Sequence, residues 1–177
     1  MIDRIYADFA WEQASQLLSI DSPSGFTAKA AQWVCDAFAN LGFAARITTK
    51  GGVIADLGGA DENDGVLLEA HADTLGAMVA TIKGNGRLKL TNLGGMNPNN
   101  AEAENVRIYT REGKVLEGTC QLCNASVHVN GSYSDTKRGW DTVEIVLDED
   151  IHSAEEARKL GIQVGDIVCF SGAGEIT

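Results

Sequence analysis

Apolar residues recur at spacings of three and four in two early stretches of the chain. Between residues 3 and 19, Ile5, Phe9 and Leu17 fall near one helical face, and Asp21-Ser22-Pro23-Ser24-Gly25 breaks the pattern. Between residues 27 and 41, Ala31, Val34, Cys35, Phe38 and Leu41 form a second helical face, and Gly42 is placed to end it in a left-handed conformation. Short β-like runs follow at residues 45–49 and 52–57. After a polar turn at 58–64 comes Val66-Leu67-Leu68, which reads as the core of a buried strand over residues 65–71. Two helices and three strands are how a three-layer α/β domain begins.

Beyond His71 the pattern changes to strands separated by glycine and asparagine turns. Residues 77–83 and 87–91 flank Gly84-Asn85-Gly86, and residues 104–110 and 114–120 flank Arg111-Glu112-Gly113; each set predicts a hairpin. Residues 142–147 alternate as a strand does, and 166–170 form a last strand. Ser153, with Glu156 three residues on, forms the capping box of a short helix that Gly161 stops. One helix among about six strands points to a small barrel or partly open β domain. Gly94-Gly95-Met96-Asn97-Pro98-Asn99-Asn100 reads as a loop between strands. The final residues, 171–177, carry no closing element, and three strands do not finish a doubly wound sheet; the chain reads as the front portion of something longer.

Charge narrows the partners. The 177 residues hold 14 Lys and Arg against 25 Asp and Glu, a formal net charge of −11. Such a surface repels phosphate backbones and anionic membranes, which argues against a nucleic-acid or membrane partner. No stretch approaches the ~20 apolar residues needed to span a bilayer. The acidic start lacks the basic-then-apolar order of a secretion signal, so a cytoplasmic protein is expected. Cys35 and Cys169 then read as reduced, buried thiols. Cys120-Gln121-Leu122-Cys123 lacks the second pair of a zinc ribbon and reads as an edge strand or loop without metal.

His71-Ala72-Asp73 is the sharpest candidate for chemistry. It follows an apolar strand core, where open α/β sheets place ligand sites. In extended backbone His71 and Asp73 point to one side, so the imidazole is placed to ligate a metal and the carboxylate to fix its tautomer. Glu69 can share that face. The other histidines have no acidic residue at a convincing ligand spacing: His128 alternates with Val127 and Val129 in a short β-like run, and His152 precedes the cap of the short helix. A catalytic zinc needs about three protein ligands, and the local sequence supplies one. A small hydrolase completed at a subunit interface, by His71, Glu69 and a neighbour's Asp135 or Asp141, therefore stays open. So does a non-catalytic oligomerisation or peptide-binding module.

Several segments together resemble a known family. They are Ser22-Pro23-Ser24-Gly25-Phe26, Gly51-Gly52-Val53-Ile54-Ala55, residues 67–79 around His71-Ala72-Asp73, Leu93-Gly94-Gly95-Met96, and residues 155–166. In that order they resemble the glutamyl-aminopeptidase and cellulase-M-like dinuclear metallopeptidases, over nearly the whole chain. The resemblance implies an α/β phosphorylase/hydrolase-like catalytic domain that begins at residues 1–76. It implies an inserted small β-barrel, PDZ-like dimerisation domain at 77–165, and a return toward the catalytic domain at 166–177. It makes His71 a metal ligand and Asp73 the catalytic-site carboxylate that orients it. It further implies two divalent metal ions, zinc or cobalt, peptide substrates with a free N-terminus, and a homo-oligomer built through the β domain. The family's remaining ligands and its general-base glutamate are expected beyond Thr177, so the chain alone is expected to hold no metal tightly and to be inactive.

Overall fold

A computed structural model describes residues 3–61 and 63–171. Described residues up to Thr74 form one compact unit and residues 75–171 another. The first holds helices α1 (Arg4–Leu18) and α2 (Ala28–Asn40) and the antiparallel strands β1 (Ala45–Ile47) and β2 (Val53–Ala55). Both helices lie where the apolar spacing predicts. Gly42, at φ 88°, takes the left-handed conformation just past α2, where a residue with a Cβ would be strained. Helix α2 packs against the β1–β2 hairpin and buries Ala30 and Ala31, whereas no residue of α1 is buried.

The strand predicted at 65–71 does not form. These residues have no regular secondary structure, and Val66, Leu67 and Leu68 are 81–85% exposed. The reason is the absence of a neighbour: an extended segment gains ladder hydrogen bonds only from a paired strand, and none pairs with it among the described residues. What the unit does contain is a mixed α/β layer of two helices and a short hairpin.

The second unit is a closed antiparallel barrel. Its strands are β3 (Gly76–Ile82), β4 (Leu88–Leu93), β5 (Asn105–Tyr109), β6 (Val115–Leu122), β7 (Val143–Leu147) and β8 (Ile167–Phe170), in the spatial order β3-β4-β7-β6-β5-β8. The ring closes where Ala77 and Met78 of β3 pair with Val168 and Ile167 of β8. Alternation selects the interior: Ala77, Val79, Leu88, Leu90, Val106, Ile108, Cys120, Leu122, Val143, Ile145 and Val168 form one buried cluster. Helix α4 (Ala154–Lys159) adds Ala157, and the turn after it adds Ile162. Its capping box is formed as predicted: Ser153 Oγ accepts from Glu156 N at 3.2 Å, and Glu156 Oε2 accepts from His152 N at 2.8 Å.

The β-rich texture beyond His71 is thus a barrel with no free edge. It runs through Phe170, past the boundary at 165 expected from the sequence, because β8 is the strand that joins β5 to β3. The rest of the predicted return, residues 172–177, lies outside the described residues. Three local readings are also corrected. Residues 98–101 form a short helix, α3 (Pro98–Ala101), started by Asn97 Oδ1, which accepts from Asn99 N at 3.0 Å. Residues 127–129 form a turn rather than a β run, with Asn130 N donating to Ser126 O. Cys120 sits inside β6, which is paired on both sides rather than being an edge. No helix among the described residues is long and apolar enough to cross a membrane.

Candidate functional site

The His71-Ala72-Asp73 segment is fastened to the loop between α1 and α2. Thr74 N donates to Ser22 O at 2.8 Å, Pro23 and Thr74 form a parallel bridge, and Ser22 Oγ donates to Ala72 O at 3.1 Å. Ser22 has no exposed surface. The proline fixes φ and lacks an N–H, which suits a chain that turns sharply here: Phe26 N closes back onto Pro23 O at 2.7 Å. The segment is therefore held in register although it belongs to no sheet.

That register brings three side chains together. Ser24 Oγ donates to Asp73 Oδ2 at 2.5 Å, and Asp73 Oδ1 lies 3.2 Å from His71 Nδ1. The Ser24 hydroxyl holds the Asp73 carboxyl below the usual carboxylate range, with a smaller contribution from His71. His71 Nδ1 is also 3.1 Å from Asp73 O. Both oxygens can only accept, so in the neutral ring the proton sits on Nδ1 and the lone pair on Nε2. The His71 side chain is 86% exposed, which leaves Nε2 open to a ligand.

This donor chemistry fits one metal ligand backed by an orienting carboxylate. It does not by itself make a complete centre. Among the described residues no three His, Cys, Asp or Glu side chains gather to hold a metal ion. Glu69 is exposed and makes none of the His71 hydrogen bonds given above. His128 lies on an exposed turn, and His152 pairs with Asp150 at 3.3 Å in solvent. Asp135 and Asp141 are exposed in the loop between β6 and β7. Ser24 is the partner that the local pattern did not reveal: it lies 49 positions from Asp73, and no periodicity reports a contact at that distance.

The other charged clusters are on the barrel. Glu144 is fully buried and pairs with Lys83 and Arg87. Glu102 receives Arg138 through Nε at 2.6 Å and Nη2 at 3.1 Å. Each is an acid answered by bases, with no surplus of donors for a cation.

Comparison with known proteins agrees with this reading of the fold. Residues 51–177 match the M42 glutamyl aminopeptidase family. The putative aminopeptidase YhfE of Bacillus subtilis (strain 168) is 39% identical over 166 residues, covering 94% of this chain and 48% of that protein. In fold, the chain is similar to an aminopeptidase from the archaeon Desulfurococcus kamchatkensis (TM-score 0.78, 24% identity), over 94% of this chain and 44% of that one. It is also similar to the TET1 peptidase of Pyrococcus horikoshii (TM-score 0.71, 22% identity), over 90% of this chain and 46% of that one. The chain thus spans about half the length of the relatives it matches. On the extent of the family match and the identity to the Bacillus protein, this chain belongs to the M42 glutamyl aminopeptidase family.

Proposed function

We propose that this chain supplies the first part of a dinuclear metallo-aminopeptidase, in which His71 is a metal ligand and Asp73 orients it. The observation that carries the reading is the Ser24–Asp73–His71 arrangement, with Nδ1 held and Nε2 open, in a member of this peptidase family. Two divalent ions, zinc or cobalt, would supply Lewis acidity and an activated water for attack on the first peptide bond of a substrate with a free N-terminus. Within this chain, His71 offers the imidazole lone pair. Asp73 holds the ring by its Nδ1–H and raises the basicity of Nε2. On this reading residues 1–76 belong to the catalytic domain, the barrel is inserted into it, and the metal is held tightly only with donors from the rest of the protein.

The barrel is assigned to homo-oligomer formation. A closed barrel leaves no strand edge to pair, so association would use its side-chain surface. The P. horikoshii TET1 peptidase, which shares this fold, can assemble into a tetrahedron or a large octahedral shell.

The test is aminopeptidase activity of the whole gene product on aminoacyl reporter amides, with zinc or cobalt added. Activity is expected with metal, and His71→Ala should lower metal affinity by more than the roughly 10–100-fold that loss of an orienting partner costs, with activity falling accordingly. No activity with either metal, or full activity in His71→Ala, overturns the reading.

A further inference from the structure

We propose that Ser24 is a positioning residue for the metal ligand His71, acting through Asp73. The inference rests on the reading of His71 as a ligand. The His71 side chain is 86% exposed, so packing does little to fix its orientation. What orients it is Asp73, and a carboxylate held by one oxygen alone still turns about its last torsion, which is broad and two-fold. Here both oxygens are engaged. Oδ2 takes the Ser24 hydroxyl at 2.5 Å and Oδ1 faces His71 Nδ1 at 3.2 Å.

Ser24 is a fixed anchor because its loop is fixed. Ser22, two residues earlier, is fully buried and bonds to the segment at Ala72 O and Thr74 N; Pro23 bridges Thr74. The result is a rigid loop holding a carboxylate that holds an otherwise unsupported imidazole. Removing the Ser24 hydroxyl takes away the only contact that ties this carboxylate to the loop between α1 and α2 among those described above, loosens it, and widens the range of His71 orientations. The backbone bonds of Ser22 remain, so the loop keeps its shape. The loss is therefore expected in ligand geometry rather than in folding.

The test compares Ser24→Ala, Ser24→Thr and His71→Ala in the whole gene product, reading zinc retention against a chromophoric chelator. Ser24→Ala should weaken retention about tenfold, and Ser24→Thr, which keeps the hydroxyl, should restore most of it. The metal-free melting temperature should not move. In the 177-residue chain without metal, the imidazole 15N shifts of His71 should move from the Nδ1–H form toward the Nε2–H form in Ser24→Ala. Wild-type zinc retention in Ser24→Ala, with loss in His71→Ala, overturns the positioning role and leaves the ligand reading standing. Retention in His71→Ala overturns both.

Discussion

Arg87 Nη1 donates to Glu144 Oε1 at 2.6 Å, and Glu144 has no exposed surface. Its other oxygen takes Lys83. Val143, Ile145 and Leu147 of β7 belong to the barrel core, so Glu144 points to the other side of the wall. It is covered there by two basic side chains that remain about one-third exposed, at 30% and 36%. Burial alone would raise the Glu144 carboxyl, but Lys83 and Arg87 overcome it and hold it below the usual range.

Glu144→Ala is therefore expected to destabilise the barrel by about 2 kcal/mol at neutral pH, less than for a wholly buried pair because both cations can rehydrate. The pH dependence follows from the direction of the shift. A carboxyl lowered by folding binds more protons when unfolded, so its contribution is complete above the ordinary value of 4.5 and is lost as the pH falls through the folded value. Urea unfolding of wild type and variant should give stabilities that converge as the pH drops below 4.5. A difference that stayed constant in that range would mean the ion pairs are not its source.

Arg138 ties the loop between β6 and β7 to the barrel. It makes two bonds to Glu102, donates through Nη1 to Tyr133 O at 3.1 Å and Thr136 O at 2.8 Å, and stacks 4.9 Å from the Tyr133 ring. Lysine offers one point charge in place of that planar fork. Arg138→Lys should leave the melting temperature nearly unchanged while amide exchange in residues 123–142 speeds several-fold. Unaltered exchange in the loop would remove Arg138 as its tether.

The barrel was legible in the sequence because each of its strands faces one core, so alternation and glycine turns report it directly. β3 and β4, on either side of Gly84-Asn85-Gly86, and β5 and β6, on either side of Arg111-Glu112-Gly113, all form where that pattern puts them. Val66-Leu67-Leu68 misled for a physical reason: hydrophobicity signals burial only if a partner arrives, and no described residue pairs with it. Helix α3 was missed because its signal is a single Asn97-Pro98 start inside a glycine- and asparagine-rich stretch. At the site, His71 and Asp73 share a side as their two-residue spacing implies. Ser24 does not announce itself, and neither does the Lys83–Glu144 pair, separated by 61 positions.

The two thiols of Cys120-Gln121-Leu122-Cys123 lie in different environments. Cys120 is in the barrel core, where burial pushes its thiol up to about 12, and Cys123 is exposed just past β6. Burial and the neighbouring Glu144 raise Cys123 as well. The thiolate is the reactive form. Iodoacetamide near pH 8 should modify Cys123 slowly and Cys120 only after unfolding, as read by peptide mass spectrometry. Rapid labelling of Cys120 in the folded protein would contradict its placement.

At Gly118, β7 leaves no room for a side chain on β6. This glycine pairs with Val106 on one side and Leu147 on the other, and its backbone conformation is one any residue adopts. The constraint is space. A Cβ built there would meet Val146 O at 2.6 Å and Ile145 Cγ2 at 3.0 Å. Backbone cannot yield as a flexible side chain does, so Gly118→Ala must spread two strands whose inner residues, Cys120 and Ile145, are both fully buried. The expected cost is about 1–3 kcal/mol, the range for overpacking a dense core. Gly131, where a Cβ would meet nothing within 4 Å, supplies the control. Gly131→Ala should leave the urea midpoint unchanged while Gly118→Ala lowers it. Equal midpoints for the two variants would show that the barrel wall has room the β6–β7 spacing denies.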